Sequence, residues 1–386
     1  MSQYLIVASS SADESKDALF TVLKSRLDKT KLADSVHLLD IPENLKFGSF
    51  DSLIKYADDL GKQDALVDAT LRRVERHLCE LEPKSDFKVY SNRSEVLAED
   101  YLLHFKWDDA KFPRSRPIQD NLQVLSNSVS RLDDEVKSRT QALLDLRQQV
   151  ASISKKEAAS LVQRDLIDVL TPETITPDDF VYTEHLTTLV VVVPRGAEKE
   201  WLSSYEALDP YVVPQSSTQL PADDKDGNKL YRVILFRSSS DNFKQAARQH
   251  RFLVRDFHFD PEKYHQTATV RAEMIAEVKR QETLVKKICQ AAFSDCLVAL
   301  VHLKAVRVYV EAVLRFGLPP KFATFLIKPG NGRISRLHAE LADVLGNGVL
   351  GKGYLGAADD EEGGEFHPYV NFAVVVNRNP AGIAGR

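Results

Sequence analysis

Residues 117–154 read PIQDNLQVLSNSVSRLDDEVKSRTQALLDLRQQVASIS, with proline only at the first position and no glycine. Apolar side chains recur at alternating steps of four and three residues, and Arg139 is the break in the series. The apolar positions are Ile118, Leu122, Leu125, Val129, Leu132, Val136, Leu143, Leu146, Val150 and Ile153. This heptad spacing predicts one helix about 54 Å long, whose narrow apolar seam needs a partner helix along its length.

A second long helix, predicted from Pro261 to Phe316, is the candidate partner. Its apolar seam comprises Met274, Val278, Val285, Ile288, Ala292, Cys296, Leu300 and Leu303. The helix is polar around this seam in its first half and apolar on most faces from Ala291 onward. Because a helix that is apolar all round is buried, this helix should start in an exposed neck and end inside a globular body.

Shorter strands and helices are predicted in the remaining chain. The strand candidates are Tyr4–Ser9, Val36–Ile41, Glu99–Trp107, Leu186–Val193, Tyr211–Pro214, Leu230–Arg237, Phe252–Phe259, Phe322–Lys328 and Tyr369–Asn377. The helix candidates are Glu14–Lys29, Ser49–Leu81 with an interruption near Gly61, Asp241–His250 and Gly332–Leu345. This mixture predicts the α+β class.

The order of these elements predicts an elongated dumbbell. A small α/β head would occupy residues 160–262, and a neck of two long antiparallel helices would span residues 117–159 and 263–290. Residues 1–116 and 291–386 would together form a larger, discontinuous α/β foot.

Composition narrows the possible functions. The 386 residues carry 51 Lys and Arg against 56 Asp and Glu, a net charge of -5, which argues against a general nucleic-acid binder. No apolar run approaches the roughly 20 residues of a membrane-spanning helix. Cys79, Cys289 and Cys296 form no metal-binding pair by spacing and are expected to be reduced, in keeping with a cytosolic compartment.

Motifs for chemistry are sparse. Residues 346–353 read GNGVLGKG and meet the GxxxxGK pattern, but a helix precedes them, a loop follows, and four acidic residues come after. We interpret the segment as a surface loop, and Asp224–Gly227 as a hairpin turn because the glutamate that closes a calcium loop is absent. His302 and His338 are interpreted as polar-face or hydrogen-bonded core residues. We expect no catalytic, cofactor or metal site.

Several stretches resemble the C-subunit family of V-type ATPases, in the family's order and over most of the chain. They are Phe105–Pro117 (FKWDDAKFPRSRP), Leu186–Pro194 (LTTLVVVVP), Trp201 with Tyr205-Glu206 and Val212–Pro214, Phe252–Phe257, the helix His302–Pro319, and Pro368–Val370. The resemblance implies a head, a helical neck and a foot, which agrees with the dumbbell.

The resemblance also implies a function. The family is a non-catalytic stator, or peripheral stalk, of the vacuolar-type rotary proton pump. Its members bridge two heterodimers of the E and G stalk subunits and the cytosolic N-terminal domain of the membrane a-subunit. They also control the reversible assembly of the catalytic and membrane sectors. A cytoplasmic location is implied, at the cytosolic face of vacuolar and other endomembranes through the complex only.

Two groups of basic residues are candidates for the protein interfaces. Lys244, Arg248, Arg251 and Arg255 would give the head a basic surface for acidic stalk helices, although an ordinary solvated face is also compatible with them. Arg114 and Arg116 would lie where the foot meets the neck and pair with carboxylates there. Two other functions stay open at this point: a nucleotide-binding regulatory protein that uses Lys352, and a coiled-coil tether or adaptor without a pump partner.

Overall fold

The computed structural model describes residues 2–11, 15–83, 86–91, 94–222, 224–347 and 367–376. The chain divides into two compact units: unit 1 comprises residues 1–141 and 282–386, and unit 2 comprises residues 142–281. Unit 1 is therefore built from both ends of the chain, and unit 2 from one continuous segment.

Within the described residues the chain forms eight α-helices. They are α1 (Lys16–Thr30), α2 (Phe50–Leu81), α3 (Ala98–Leu103), α4 (Ile118–Glu157), α5 (Glu198–Ser204), α6 (Ser240–Gln249), α7 (Pro261–Phe316) and α8 (Ile334–Ala342). The two long helices that the heptad spacing predicts are confirmed as α4 and α7, and α7 has the predicted bounds.

The described strands belong to three antiparallel sheets. They are β1 (Ser2–Ser10), β2 (Ala33–Leu38), β3 (Lys88–Ser91), β4 (Ser94–Leu97), β5 (Leu186–Val193), β6 (Thr218–Leu220), β7 (Lys229–Phe236), β8 (Leu253–Arg255), β9 (Phe322–Pro329) and β10 (Val370–Val376). The strand orders are β10-β1-β9-β2 and the pair β3-β4 in unit 1, and β6-β7-β5-β8 in unit 2. The α+β class is confirmed.

Unit 1 has helices against both faces of its four-stranded sheet. The central strand β1 is buried without interruption from Tyr4 to Ser9, which is typical of a strand covered on both sides. Leucines of α1 and α8 pack with β1 and β9 in one apolar cluster. On α7, the Tyr309 ring lies 6.4 Å from Phe322 of β9. The long helix α7 is thereby anchored to the sheet.

Helix α2 contacts both long helices within unit 1. Tyr56 donates its hydroxyl to Gln119 of α4 at 3.3 Å, and Arg73 of α2 forms an ion pair with Asp133 of α4. The Nζ atom of Lys286 on α7 lies 2.6 Å from Glu82 at the end of α2. Helix α2 therefore lies against the first half of α4, a contact that the sequence did not predict.

The sheet of unit 2 is also covered on both faces. Its strand β5 is buried without interruption from Thr188 to Val193. The odd-numbered side chains of β5 pack with α5 and α6, including Trp201 and Phe243. The even-numbered side chains Val190 and Val192 pack against the irregular segment of residues 161–180. Because side chains on both faces of β5 are buried, the strand is a continuous run of apolar residues rather than an alternating one.

Four predicted elements differ from the structure. The segment predicted as the strand Glu99–Trp107 forms α3 and a turn, and the buried residues Ala98, Tyr101 and Leu102 are spaced as on one face of a helix. Helix α2 continues through Gly61 without a break. The segment 211–214 makes only one isolated bridge, at Val212, because prolines flank it. The strand predicted for residues 252–259 pairs only over β8.

Candidate functional site

The family-like stretch of residues 105–117, which we call the junction segment, wraps around His302 of α7. The His302 ring lies 5.0 Å from Phe105, 5.0 Å from Trp107 and 4.7 Å from Phe112, measured between ring centroids. Trp107 donates its indole N–H to the carbonyl of Phe112 at 2.8 Å, which closes the loop of the segment. Three aromatic rings therefore enclose one imidazole.

Both ring nitrogens of His302 are hydrogen-bonded. Nδ1 lies 2.7 Å from the Val298 carbonyl, and Nε2 accepts the backbone N–H of Asp108 at 3.0 Å. The neutral imidazole fits this pattern, with the proton on Nδ1. Burial lowers the pKa of His302 to about 4. The interpretation of His302 as a hydrogen-bonded core residue is confirmed. The neutral imidazole links α7 to the backbone of the junction segment and holds that segment in place.

Arg114 pairs with a carboxylate inside the junction segment, as the sequence predicted. Its guanidinium donates to both carboxylate oxygens of Asp109, at 2.8 and 2.5 Å. This pair lowers the pKa of Asp109, and burial opposes that effect only in part. Arg116 is exposed two residues before the start of α4. The segment thus leads into α4 with one arginine bound and one facing solvent.

The four basic residues predicted for unit 2 lie on α6, the turn after it, and β8, which packs on α6. Lys244 places its Nζ atom 2.7 Å from Asp256, and Arg255 donates to the carbonyls of Leu161 and Val162 at 3.0 and 2.8 Å. Arg248 and Arg251 are exposed, and Arg251 has a positive φ of 64°. Two of the four residues therefore stabilise unit 2 itself, and two present their charges to solvent.

A buried charge cluster in unit 1 was missed by the sequence reasoning. One oxygen of Asp64 on α2 accepts from Lys304 at 2.6 Å and from Arg307 at 2.5 Å, both on α7. The Arg307 guanidinium lies 4.2 Å from the ring centroid of Phe372 on β10. Two cations thus share one carboxylate and one aromatic ring. The signal in the sequence was two basic residues in an otherwise apolar stretch of α7.

The remaining candidate motifs acquire no chemistry among the described residues. Asp224 and Gly227 lie in the turn between β6 and β7, which confirms the hairpin interpretation. The glycine motif lies outside the described residues from residue 348 onward, as does Lys352. The three cysteines are free; Cys289 and Cys296 are buried, and Cys79 is partly buried. No group of three His, Cys, Asp or Glu side chains suited to a metal occurs in the described part of the chain.

None of the described helices is long and apolar enough to cross a membrane. The long helices α4 and α7 both carry charged residues on their exposed faces.

Comparison with known proteins covers both units. The family model of the V-ATPase C-subunit matches residues 4–370. The V-type proton ATPase C-subunit of Arabidopsis thaliana is 33% identical over an alignment of 388 positions, which covers 97% of this chain and 99% of the relative. The C-subunit 1-B of Danio rerio is 32% identical over 88% of this chain and 89% of the relative, and the C-subunit 1 of Mus musculus is 33% identical over 79% and 78%. The chain therefore belongs to the C-subunit family of V-type ATPases.

Proposed function

We propose that the chain is a non-catalytic peripheral-stalk component of the vacuolar-type proton-pumping ATPase. In this role it bridges two E–G stalk heterodimers and the cytosolic N-terminal domain of the membrane a-subunit, and its release separates the catalytic and membrane sectors. The protein acts in the cytosol and reaches the vacuolar or endomembrane surface through the complex. The observation that carries the proposal is the family match across residues 4–370, which includes both compact units.

The proposed shape is the dumbbell, with a head at residues 160–262, neck helices at 117–159 and 263–290, and a foot at 1–116 and 291–386. Helix α4 has 40 residues and α7 has 56, lengths of about 60 and 84 Å at 1.5 Å per residue. Helices of this length suit a part that must resist bending between two binding ends. Binding at two ends raises the effective concentration for each contact, so release of one contact weakens the whole attachment.

The proposed stalk contact on the head uses Arg248 and Arg251. Both are exposed, whereas Lys244 and Arg255 already bind groups within unit 2. Arginine can donate two parallel hydrogen bonds to a carboxylate, and so fits an acidic helix of the stalk. Arg116 is the exposed arginine of the junction segment that does not pair with Asp109, and we propose it as a contact of the foot.

The test is binding of the full chain to the purified E–G heterodimer by isothermal titration calorimetry. The double substitution Arg248→Glu with Arg251→Glu should weaken binding about tenfold at low salt, because exposed interface charges each contribute modestly. The matched control is Lys199→Glu with Lys225→Glu, which makes the same charge change at exposed positions elsewhere on unit 2. No binding by the wild-type chain would refute the stator function, and equal losses in both double variants would refute the assignment of residues.

A further inference from the structure

The chain between β8 and α7 is an irregular connector in unit 2, comprising residues 256–260. Within the described residues, the stretch 257–259 takes part in no backbone–backbone hydrogen bond. Asp260 caps α7, because its carboxylate accepts the backbone N–H groups of Glu262 and Lys263 at 3.0 and 3.1 Å. The sheet ends before the connector and the helix begins after it, so the connector itself has to be held by side chains.

The segment that faces the connector is fixed to the sheet of unit 2. Thr188 of β5 is buried, and its hydroxyl accepts the backbone N–H of Val181 at 2.8 Å and donates to the Val181 carbonyl at 3.2 Å. Phe180 and Tyr182 flank Val181 and pack in the same apolar cluster as Val190 of β5. The sheet therefore holds these two rings in place without the help of α7.

Four rings from the connector and the fixed segment form one stack, in the order Phe259, Phe180, Tyr182 and His258. Successive ring centroids lie 6.0, 6.2 and 4.4 Å apart, and the angles between neighbouring ring planes are 11°, 10° and 4°. The two outer rings belong to the connector and enclose the two rings of the fixed segment. Phe257 adds a tilted contact with Phe180 at 5.4 Å. Aromatic pairs at such separations attract each other, and we call these five residues the aromatic latch.

The Tyr182 hydroxyl supplies hydrogen bonds to the backbone of the connector. It donates to the Phe257 carbonyl at 2.7 Å, and the backbone N–H of Phe259 donates to the same hydroxyl oxygen. Burial raises the pKa of the Tyr182 phenol, and the bond from Phe259 opposes that effect only in part, so the phenol keeps its proton at neutral pH. One side chain thus satisfies two backbone groups that a neighbouring strand would otherwise satisfy.

We propose that the aromatic latch is the conformational device that fixes the start of α7 to unit 2, and that the Tyr182 hydroxyl keeps it closed. With both hydrogen bonds made, the connector and the first turns of α7 move with the sheet of unit 2 as one body. Without them, the connector separates from the fixed segment while the sheet stays folded. The ion pair of Arg271 with Asp168, at 3.0 Å, limits this opening to the turns of α7 that precede Arg271. The latch is a property of the chain by itself and does not depend on the proposed stator function.

The experiment is hydrogen–deuterium exchange of the full chain, read by mass spectrometry on peptides that cover residues 256–266, β5 and β7. Tyr182→Phe removes the hydroxyl and keeps the ring of the stack. This variant should speed exchange in residues 256–266 about tenfold, because the loss of two hydrogen bonds favours the open form by about that factor. Exchange in β5 and β7 should stay at the wild-type rate, since the fixed segment and the sheet keep their own contacts.

The matched control is Tyr211→Phe, which removes the same hydroxyl group from another tyrosine of unit 2. Tyr211 is 57% exposed, and its hydroxyl forms no hydrogen bond with the described part of the chain, so exchange should not change in any peptide. Faster exchange by the same factor in residues 256–266, β5 and β7 of Tyr182→Phe would show that Tyr182 only stabilises unit 2 as a whole, and would overturn the latch. Wild-type exchange in all three regions of Tyr182→Phe would overturn it as well.

Discussion

At the scale of single residues, His302 should make the stability of the protein depend on pH. Its pKa falls to about 4 in the folded chain from an ordinary 6.5. Between these values the unfolded state binds more protons than the folded state, so stability falls as the pH falls from 6.5 towards 4. Urea unfolding should show that the wild-type chain loses roughly 2 kcal/mol more than His302→Gln between about pH 7 and about pH 5. Parallel pH curves for the two proteins would contradict this.

Asp64 should be far more sensitive to substitution than either of its partners. Asp64→Asn leaves Lys304 and Arg307 buried without an anion and should cost about 3 kcal/mol in unfolding free energy. Lys304→Met leaves one carboxylate with one guanidinium, and should change stability by less than about 1 kcal/mol. Chemical denaturation of both variants checks the contrast. Equal losses would contradict the argument, because they would place the whole contribution of Asp64 in its pair with Lys304.

Residue roles were only partly accessible from the sequence. The pairing of Arg114 followed from its place beside Asp109 in the chain, because such short-range contacts are set locally. The contacts of Arg255 with the carbonyls of Leu161 and Val162 join positions more than ninety residues apart in the chain. The hydrophobic periodicity of a sequence predicts local elements and does not predict such long-range contacts.

At the scale of elements, the continuity of α2 through Gly61 has a measurable cost. An added Cβ at Gly61 would meet nothing within 4 Å, so Gly61→Ala should raise stability by about 0.5–1 kcal/mol through the lower entropy of the unfolded chain. Gly227→Ala is the opposing control. Gly227 has a φ of +78°, and a Cβ there would lie 2.8 Å from the Arg195 side chain, so this variant should be destabilised. Thermal unfolding distinguishes the two signs, and a destabilised Gly61→Ala would contradict the argument.

Long elements with one dominant hydrophobic period were predicted well from the sequence, and short elements were predicted poorly. Helix α7 kept a helical pattern for 56 residues, and its bounds were found from the sequence. The six-residue helix α3 holds too few turns to establish a period, and its aromatic and apolar residues favoured a strand. The contact of α2 with α4 depends on tertiary packing, which a heptad seam alone does not specify.

At the scale of the whole molecule, the proposed dumbbell can be tested in solution. A compact globule of 386 residues would have a radius of gyration of about 21 Å. Two end domains separated by helices of the observed length should raise this value to about 30 Å in small-angle X-ray scattering. A value near that of the globule would rule out the extended neck, and would leave the family membership untouched.

The interrupted construction of unit 1 has a consequence for biosynthesis. Strand β1 ends at Ser10, yet its neighbours β9 and β10 begin at Phe322 and Val370. At about 5–20 residues per second, a ribosome needs roughly 15–60 s to make the intervening chain. We expect the strands of unit 2 to pair before β1 has its neighbours, so that the apolar residues of β1 are exposed and can bind chaperones during synthesis. Protease protection of stalled nascent chains would reveal that order. The first strand translated is thus among the last to be completed.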